Sequence, residues 1–196
     1  MDKKKMKEYV KKRDFNKTPE PDQNENADFD QQIFVIQKHN ASNLHYDFRL
    51  EVNDVLKSWA IPKGPSTDPS VKRLAIPTED HPMAYGDFEG VIPEDEYGGG
   101  QVIVWDKGTY ENQSSKDDKE ISMDQAYQKG HISVWLNGEK LQGGYSLVRT
   151  GDEDDSNWLL IKEDDEESDA RRKPAKTENK SVMSDKTIDD LKEESS

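Results

Sequence analysis

The 196-residue chain contains no cysteine, which excludes a disulfide framework, a thiolate metal site and a catalytic thiol. Any metal held here must use histidine, aspartate, glutamate or water. Long apolar runs are missing as well. The longest is about five residues, against the roughly 20 needed to span a bilayer, and the Lys-rich start, Met1 to Lys7, lacks the apolar stretch of a signal peptide. A soluble intracellular protein without membrane contact is predicted. Hydrophobic residues are scarce too, at 31%, or about 37% with the 12 glycines, where a typical globular chain has roughly 45–50%. One compact domain with tails outside its core follows from that length and composition.

Charge is plentiful but uneven. Of the net −14, residues 152–196 carry −8, from 16 acidic and 8 basic residues. Residues 1–17 run the other way, at net +5. Global acidity argues against non-specific coating of nucleic acid, while a basic arm beside a neutral cleft can still hold a phosphate backbone.

Residues 1–30 are polar, include Thr18-Pro19-Glu20-Pro21, and show no sustained apolar period, so they read as an arm with a short helix around Lys5 to Lys12. Between residues 31 and 163, eight β-like runs follow at about 33–39, 44–52, 55–61, 72–77, 101–106, 131–136, 144–149 and 158–162. They predict a mainly β fold, an antiparallel β-barrel of about eight strands with one or two short helices. Asn53-Asp54 and Asn137-Gly138 read as hairpin turns, and Met123 to Lys129 before Gly130 as a helix. Residues 164–196 are strongly charged and predict a flexible, solvated tail, with a helical turn or two at Lys186 to Glu194.

The chemistry concentrates in Leu44-His45-Tyr46-Asp47-Phe48-Arg49-Leu50-Glu51-Val52. Strand side chains alternate faces, so Leu44, Tyr46, Phe48, Leu50 and Val52 enter a core and His45, Asp47, Arg49 and Glu51 line the opposite face. An ordinary half-exposed strand would turn that polar face to water. Here, residues i and i+2 lie about 7 Å apart, close enough for His45 and Asp47 to lean toward one metal ion. Asn40-Ala41-Ser42-Asn43 has the composition of a tight connection that folds His39 back toward His45. His81 follows the fourth run in a loop, a usual place for catalytic groups. Arg49, Lys63 and Arg73 supply cations suited to phosphate oxygens. Gly98-Gly99-Gly100 is not followed by Lys-Ser/Thr and so is no P-loop. His131, at the start of its own run, reads as structural.

These strings, Gln37-Lys38-His39, Leu44 to Leu50, Leu56-Lys57-Ser58-Trp59-Ala60-Ile61-Pro62-Lys63-Gly64-Pro65 and Asp80-His81-Pro82, resemble the 3′-phosphoesterase domain of bacterial DNA ligase D. The resemblance continues through Tyr85, Asp87-Phe88-Glu89-Gly90-Val91-Ile92-Pro93, Glu96-Tyr97-Gly98 and Val104-Trp105-Asp106-Lys107-Gly108, and takes in the arm at Tyr9, Lys12-Arg13-Asp14-Phe15 and Thr18 to Pro21. The acidic run from Glu163 to Asp169 lies outside it. With no ligase or polymerase module in the sequence, the chain looks like a stand-alone version.

The resemblance implies a manganese-dependent enzyme, Co2+ being another fitting ion, that removes a 3′-phosphate or a terminal 3′ ribonucleoside and so prepares 3′-OH ends for end joining. His39, His45 and Asp47 match its metal ligands, and Arg49, His81 and Tyr85 match the groups at the reacting phosphate. Arg13, Asp14, Glu20, Gln37, Lys63 and Arg73 match further positions that support activity. The implied substrates are DNA or RNA–DNA primer-template 3′ ends. The implied setting is the cytoplasm, at the nucleoid, as a monomer beside a separate ATP-dependent DNA ligase and a primase-like polymerase. Two rivals stand against this reading. The order His45-x-Asp47 then His81 also fits the facial triad of iron/2-oxoglutarate oxygenases, which leaves His39 without a role. A non-catalytic DNA-end-binding module would keep the fold with a decayed site, whereas all six matched site residues are present here.

Overall fold

Alternating apolar and polar residues from Ile33 onward pair as antiparallel strands, and the sheet closes on itself. In the computed structural model, the described residues are 6–22, 32–153 and 156–195. Of the predicted arm, residues 1–5 and 23–30 therefore lie outside them. The strands are β1 (Ile33–Asn40), β2 (Leu44–Val52), β3 (Val55–Ile61), β4 (Lys72–Pro77), β5 (His81–Pro82), β6 (Gly90–Ile92), β7 (Gly100–Asn112), β8 (Ser115–Lys116), β9 (Lys119–Glu120), β10 (His131–Gly138), β11 (Gln142–Arg149) and β12 (Trp158–Lys162). An eight-stranded barrel runs β1-β2-β3-β4-β12-β11-β10-β7, and β7 pairs back with β1. Its members are the eight runs predicted from the sequence. β5 adds to β3, β6 to β7, and β8 with β9 makes a separate small hairpin.

Asn53 and Asp54 sit at φ 54° and 63°, the mirror-image turn that joins β2 to β3. The second predicted hairpin turn differs in detail. Asn137 and Gly138 finish β10, and the loop beyond is organised by Asp106, whose carboxylate accepts the N–H groups of Glu139, Lys140 and Leu141. Helix α1 (Lys7–Lys11) lies in the arm, and α2 (Met123–Lys129) starts on a Ser122/Gln125 capping box and stops at left-handed Gly130. Two more short helices, α3 (Pro174–Thr177) and α4 (Ile188–Glu194), bring the number among the described residues to four where one or two were expected. Among the described residues, no helix is long and apolar enough to cross a membrane.

Two apolar clusters flank the same wall of the barrel. The larger draws on all eight barrel strands, including Phe34, Phe48, Trp59, Ala75, Trp105, Leu136, Tyr145 and Trp158, and is the barrel interior. The second comprises Ile33 and Val35 of β1, Leu56 of β3, and Val102 and Val104 of β7, covered by Tyr9 of α1, Met83, Tyr85 and Phe88 around a 3-10 turn at Met83–Asp87, and Ile92 of β6. That cover buries the outer face of β1 and β2. The face of β2 carrying Asp47 and Arg49 is thus roofed instead of open to water.

The charged C-terminal segment is not a solvated tail. Thr67 Oγ1 donates to Asp169 O at 2.8 Å, Tyr46 OH to Ala175 O at 2.8 Å, and Lys38 Nζ to Asn179 Oδ1 at 2.9 Å. Ile188 and Leu191 of α4 pack on Ile103. Charge density alone suggested hydration, but apolar residues spaced three apart in α4 give the segment a face to bury. Its acidic start is pinned by Lys162, a fully buried side chain whose Nζ donates to Asp165 Oδ1 at 2.6 Å and to Gly144 O at 3.2 Å. Asp165→Ala removes the counter-charge of a buried ammonium, and urea unfolding is expected to show a loss of about 3 kcal/mol or more. A solvated acidic run would tolerate the change within about 0.5 kcal/mol.

Candidate metal centre and phosphate cleft

The β1–β2 hairpin places His39 directly opposite His45 and Gln37 opposite Asp47. Period-two geometry then puts His45, Asp47 and Arg49 on the one roofed face. His39, His45 and Asp47 each offer a ligand atom, and these atoms lie within 4.8 Å of one another. Second contacts settle which nitrogens face inward. His39 Nε2 is 2.7 Å from Gly98 O and His45 Nδ1 is 2.9 Å from Asn43 O, contacts that require N–H donors at those atoms. His39 Nδ1 and His45 Nε2 are thereby turned toward the Asp47 oxygens, at 3.5 and 3.6 Å. Two imidazoles backed by carbonyls and one carboxylate form a group able to bind a metal ion. Gly98 has φ +76°, a conformation that favours glycine and aims its carbonyl at His39.

Burial would raise the Asp47 carboxyl, but the Arg49 guanidinium and the two facing imidazoles hold it well below the usual carboxylate range. Burial likewise lowers His45, yet Asp47 outweighs it and the net shift is upward. Arg49 is 2% exposed, and each of its three nitrogens has a partner. Nε donates to Gln37 Oε1 at 2.7 Å, one terminal nitrogen to Ser58 Oγ at 2.8 Å, and the other lies 3.3 Å from Asp47. Gln37 in turn donates to the carbonyls of Tyr85 and Phe88.

The arm forms the other wall. Arg13 donates to Glu20 at 2.9 Å and to Glu79 at 3.1 Å, and stands 3.4 Å from His81 Nε2. Tyr85 OH donates to the same Glu20 oxygen at 2.9 Å, and burial, with Glu20 beside it, pushes the phenol well above its ordinary value. His81 Nδ1 is 2.8 Å from Glu79 O and 3.1 Å from the Arg49 guanidinium; the shorter contact, to an oxygen that can only accept, places the proton on Nδ1 and leaves the Nε2 lone pair toward the arm and Arg13. Desolvation, then the guanidiniums of Arg49 and Arg13, drive His81 well below its ordinary pKa. The unfolded chain takes up this proton near pH 6.5, as free histidine does, and the folded one does not. The contribution of this group to stability is therefore complete above about pH 6.5 and declines as the pH falls below it. Nitrogen-15 NMR at pH 6 is expected to show a neutral His81 ring protonated at Nδ1. An imidazolium there would contradict the assignment.

One cleft of about 280 Å³ gathers Arg13, Glu20, His39, His45, Asp47, Arg49, His81 and Tyr85. Gln37 lies beneath it. Asp14, Lys63 and Arg73 are not among its lining residues: Asp14 accepts the Asn16 N–H in the arm turn, Lys63 is exposed, and Arg73 keeps a buried Nε with no partner. Residues the sequence reading passed over also join, above all Glu79, which pairs with both Lys12 and Arg13, and Tyr97 at the rim. The position of Glu79 two residues before His81, in the same loop, was the available signal. The oxygenase ordering fails on geometry. The third member of the metal-binding group is His39, and His81 instead stands against Arg49 and Arg13.

A group able to bind a metal ion thus stands beside a buried guanidinium and an imidazole in one cleft, an arrangement that suits a phosphoesterase-type hydrolase. The chain belongs to the DNA ligase D 3′-phosphoesterase domain family, whose sequence profile matches residues 37–149. It is 46% identical over 186 residues, 92% of its length, to the multifunctional non-homologous end joining protein LigD of Pseudomonas aeruginosa. It is 45% identical over 152 residues, 77% of its length, to the non-homologous end joining DNA repair protein LigD of Mycobacterium tuberculosis. Identity to LigD of Mycolicibacterium smegmatis is 41% over 170 residues, 84% of the chain. The chain spans about a fifth of the length of these curated relatives, 21%, 19% and 21% respectively.

Proposed function

We propose that this cleft heals 3′ ends at DNA strand breaks, removing a 3′-phosphate or a terminal 3′ ribonucleoside from primer-template ends to leave a 3′-OH for non-homologous end joining. The observation that carries the reading is the convergence of His39 Nδ1, His45 Nε2 and Asp47 beside the Arg49 fork, in a chain of this family.

His39, His45 and Asp47 would hold a divalent ion. Their mixed nitrogen and oxygen donors suit Mn2+, with Co2+ also fitting, and the bound ion would polarise phosphate oxygens and acidify a water molecule. Charges at the cleft otherwise balance, Lys12, Arg13 and Arg49 facing Glu20, Asp47 and Glu79, so a divalent ion leaves the +2 that complements a phosphate dianion. Arg49 lines the cleft, and the N–H groups of its fork beyond the contacts to Gln37, Ser58 and Asp47 would donate to non-bridging oxygens as negative charge grows. Gln37 and Ser58 keep that fork from rotating. His81 enters neutral, its Nε2 lone pair takes up a proton from solvent once the phosphate adds negative charge beside it, and that proton passes to the leaving oxygen as its bond to phosphorus breaks, while water adds to phosphorus and gives its own proton to solvent. Glu20 holds Arg13 and Tyr85 against the reacting group, and Tyr85 orients the phosphate. Asp14 shapes the arm turn, while Lys63 and Arg73 support activity from outside the cleft lining. The nearest partners in such a repair are a separate ATP-dependent ligase and a primase-like polymerase, with this chain acting as a monomer.

The test is a 5′-labelled primer-template ending in a 3′-phosphate or a short ribonucleotide tract, incubated with Mn2+ or with EDTA. Conversion to 3′-OH ends with Mn2+ and none with EDTA is expected. Binding without turnover in Mn2+ or Co2+ would overturn the proposal in favour of an end-binding module.

A further inference from the structure

Tyr97 lines the same cleft as the ligand group and Arg49, yet 49% of its surface is open. The other tyrosine there, Tyr85, is buried with its hydroxyl committed to Glu20. The position of Tyr97 is set from both ends of the site. Its neighbour Gly98 receives the N–H of His39, so the loop is tied to the ligand group. On the arm side, Lys12 Nζ lies 4.7 Å from the ring centroid and 3.4 Å from the hydroxyl, and the Arg13 guanidinium lies 5.6 Å from the centroid. Lys12 is itself held by Glu79 at 3.0 Å. Cations within about 6 Å of an aromatic face are attracted to it, so Lys12 and Arg13 help to hold the ring in place. The lining of the cleft also includes the short side chains of Ala41 and Ser42, and Gly98 next to Tyr97 in the chain.

We propose that Tyr97 is the stacking platform for the nucleoside next to the reacting phosphate, so that the site selects a nucleic-acid end over a bare phosphate ester. The inference rests on the phosphoesterase reading above. A phosphate held by Arg49 leaves its attached sugar and base at the cleft mouth, where the half-open ring stands. Stacking uses the π-face that every base possesses, so it imposes no sequence and accepts deoxyribose and ribose ends alike. The bland alternative is a rim tyrosine that only closes the arm onto the loop through Lys12. The two differ in what they demand of the side chain: stacking needs an aromatic ring, whereas clasping Lys12 also needs the hydroxyl.

The experiment compares the full chain with Tyr97→Leu, Tyr97→Phe and Tyr97→Trp in Mn2+, on two primer-templates with 3′-phosphate ends, one terminating in a normal nucleotide and one in an abasic sugar. The expected result is a kcat/KM ratio, base-bearing over abasic, of roughly 5- to 100-fold in the wild type, carried mainly by KM. That ratio should fall to near one in Tyr97→Leu and persist in Tyr97→Phe and Tyr97→Trp. Equal losses on both ends in Tyr97→Leu, or failure of Phe and Trp to keep the ratio, would overturn the platform. Thermal unfolding of each variant separates misfolding from lost stacking. If the wild type turns over neither substrate, the phosphoesterase reading fails. The platform is then judged by fluorescence anisotropy of the same labelled ends: a wild-type preference for the base-bearing end that Tyr97→Leu loses supports it, and equal binding overturns it.

Discussion

Replacing His45 with alanine is expected to weaken Mn2+ binding by at least about 100-fold and to lower turnover of 3′-phosphate ends on the order of 10³-fold. The reasoning is geometric. His45 supplies one of three ligand atoms that lie within 4.8 Å of one another, and its ring is aimed by the Asn43 carbonyl. Two donors remain in the variant, too few to hold the ion in competition with water. Folding should survive, because His45 lies at the open side of the site and contributes no side chain to either apolar cluster. Titration calorimetry with Mn2+, an end-conversion assay and a melting curve together decide the matter. Unchanged turnover in a variant that no longer binds Mn2+ would remove the ion from the reaction.

Arg49→Lys is expected to lower kcat by about 10²- to 10³-fold, with a smaller change in KM. Lysine keeps the positive charge, so this variant separates charge from shape. The guanidinium reaches Gln37, Ser58 and Asp47 at once, and those three fix its plane. An ammonium is a point charge that can replace only part of that set, and it cannot present two parallel donors to a phosphate. A result within tenfold of wild type would mean that Arg49 acts through its charge alone. A large loss in KM with kcat preserved would move its role from the transition state to ground-state binding.

The charged residues around Arg49 show how buried charge is managed here. Removing Asp47 would strand a cation, and removing Arg13 would strand Glu20 and leave Glu79 to Lys12 alone. Arg49 is matched by Asp47 two residues away and Arg13 by Glu20 seven residues away, while Glu79 reaches both Arg13 and Lys12 from a distant part of the chain. The depressed His81 pKa is a product of the same packing, since Arg13 and Arg49 are 68 and 32 residues away in sequence. No local pattern carries that information. Read alone, His81 is a loop histidine whose protonation is undetermined.

By itself, the sequence determined what depends on short range. Period-two alternation marked the eight barrel strands, separated Tyr46, Phe48 and Leu50 from His45, Asp47 and Arg49, and, with the short Asn40 to Asn43 connection, brought His39 to His45. The strings around these residues carried the family. Only the tertiary structure decided that the polar face of β2 is roofed by the arm and the 3-10 turn, that Glu79 and Tyr97 join the cleft while Asp14, Lys63 and Arg73 stand outside its lining, and that residues 164–195 wrap the barrel through Lys162, Trp105 and Ile103. The physical reason is one of range. Strand alternation repeats within a few residues and is set by backbone geometry, whereas which charges meet, and which polar groups lose their water, is settled when the sheet closes and segments far apart in the chain compete for the same surface.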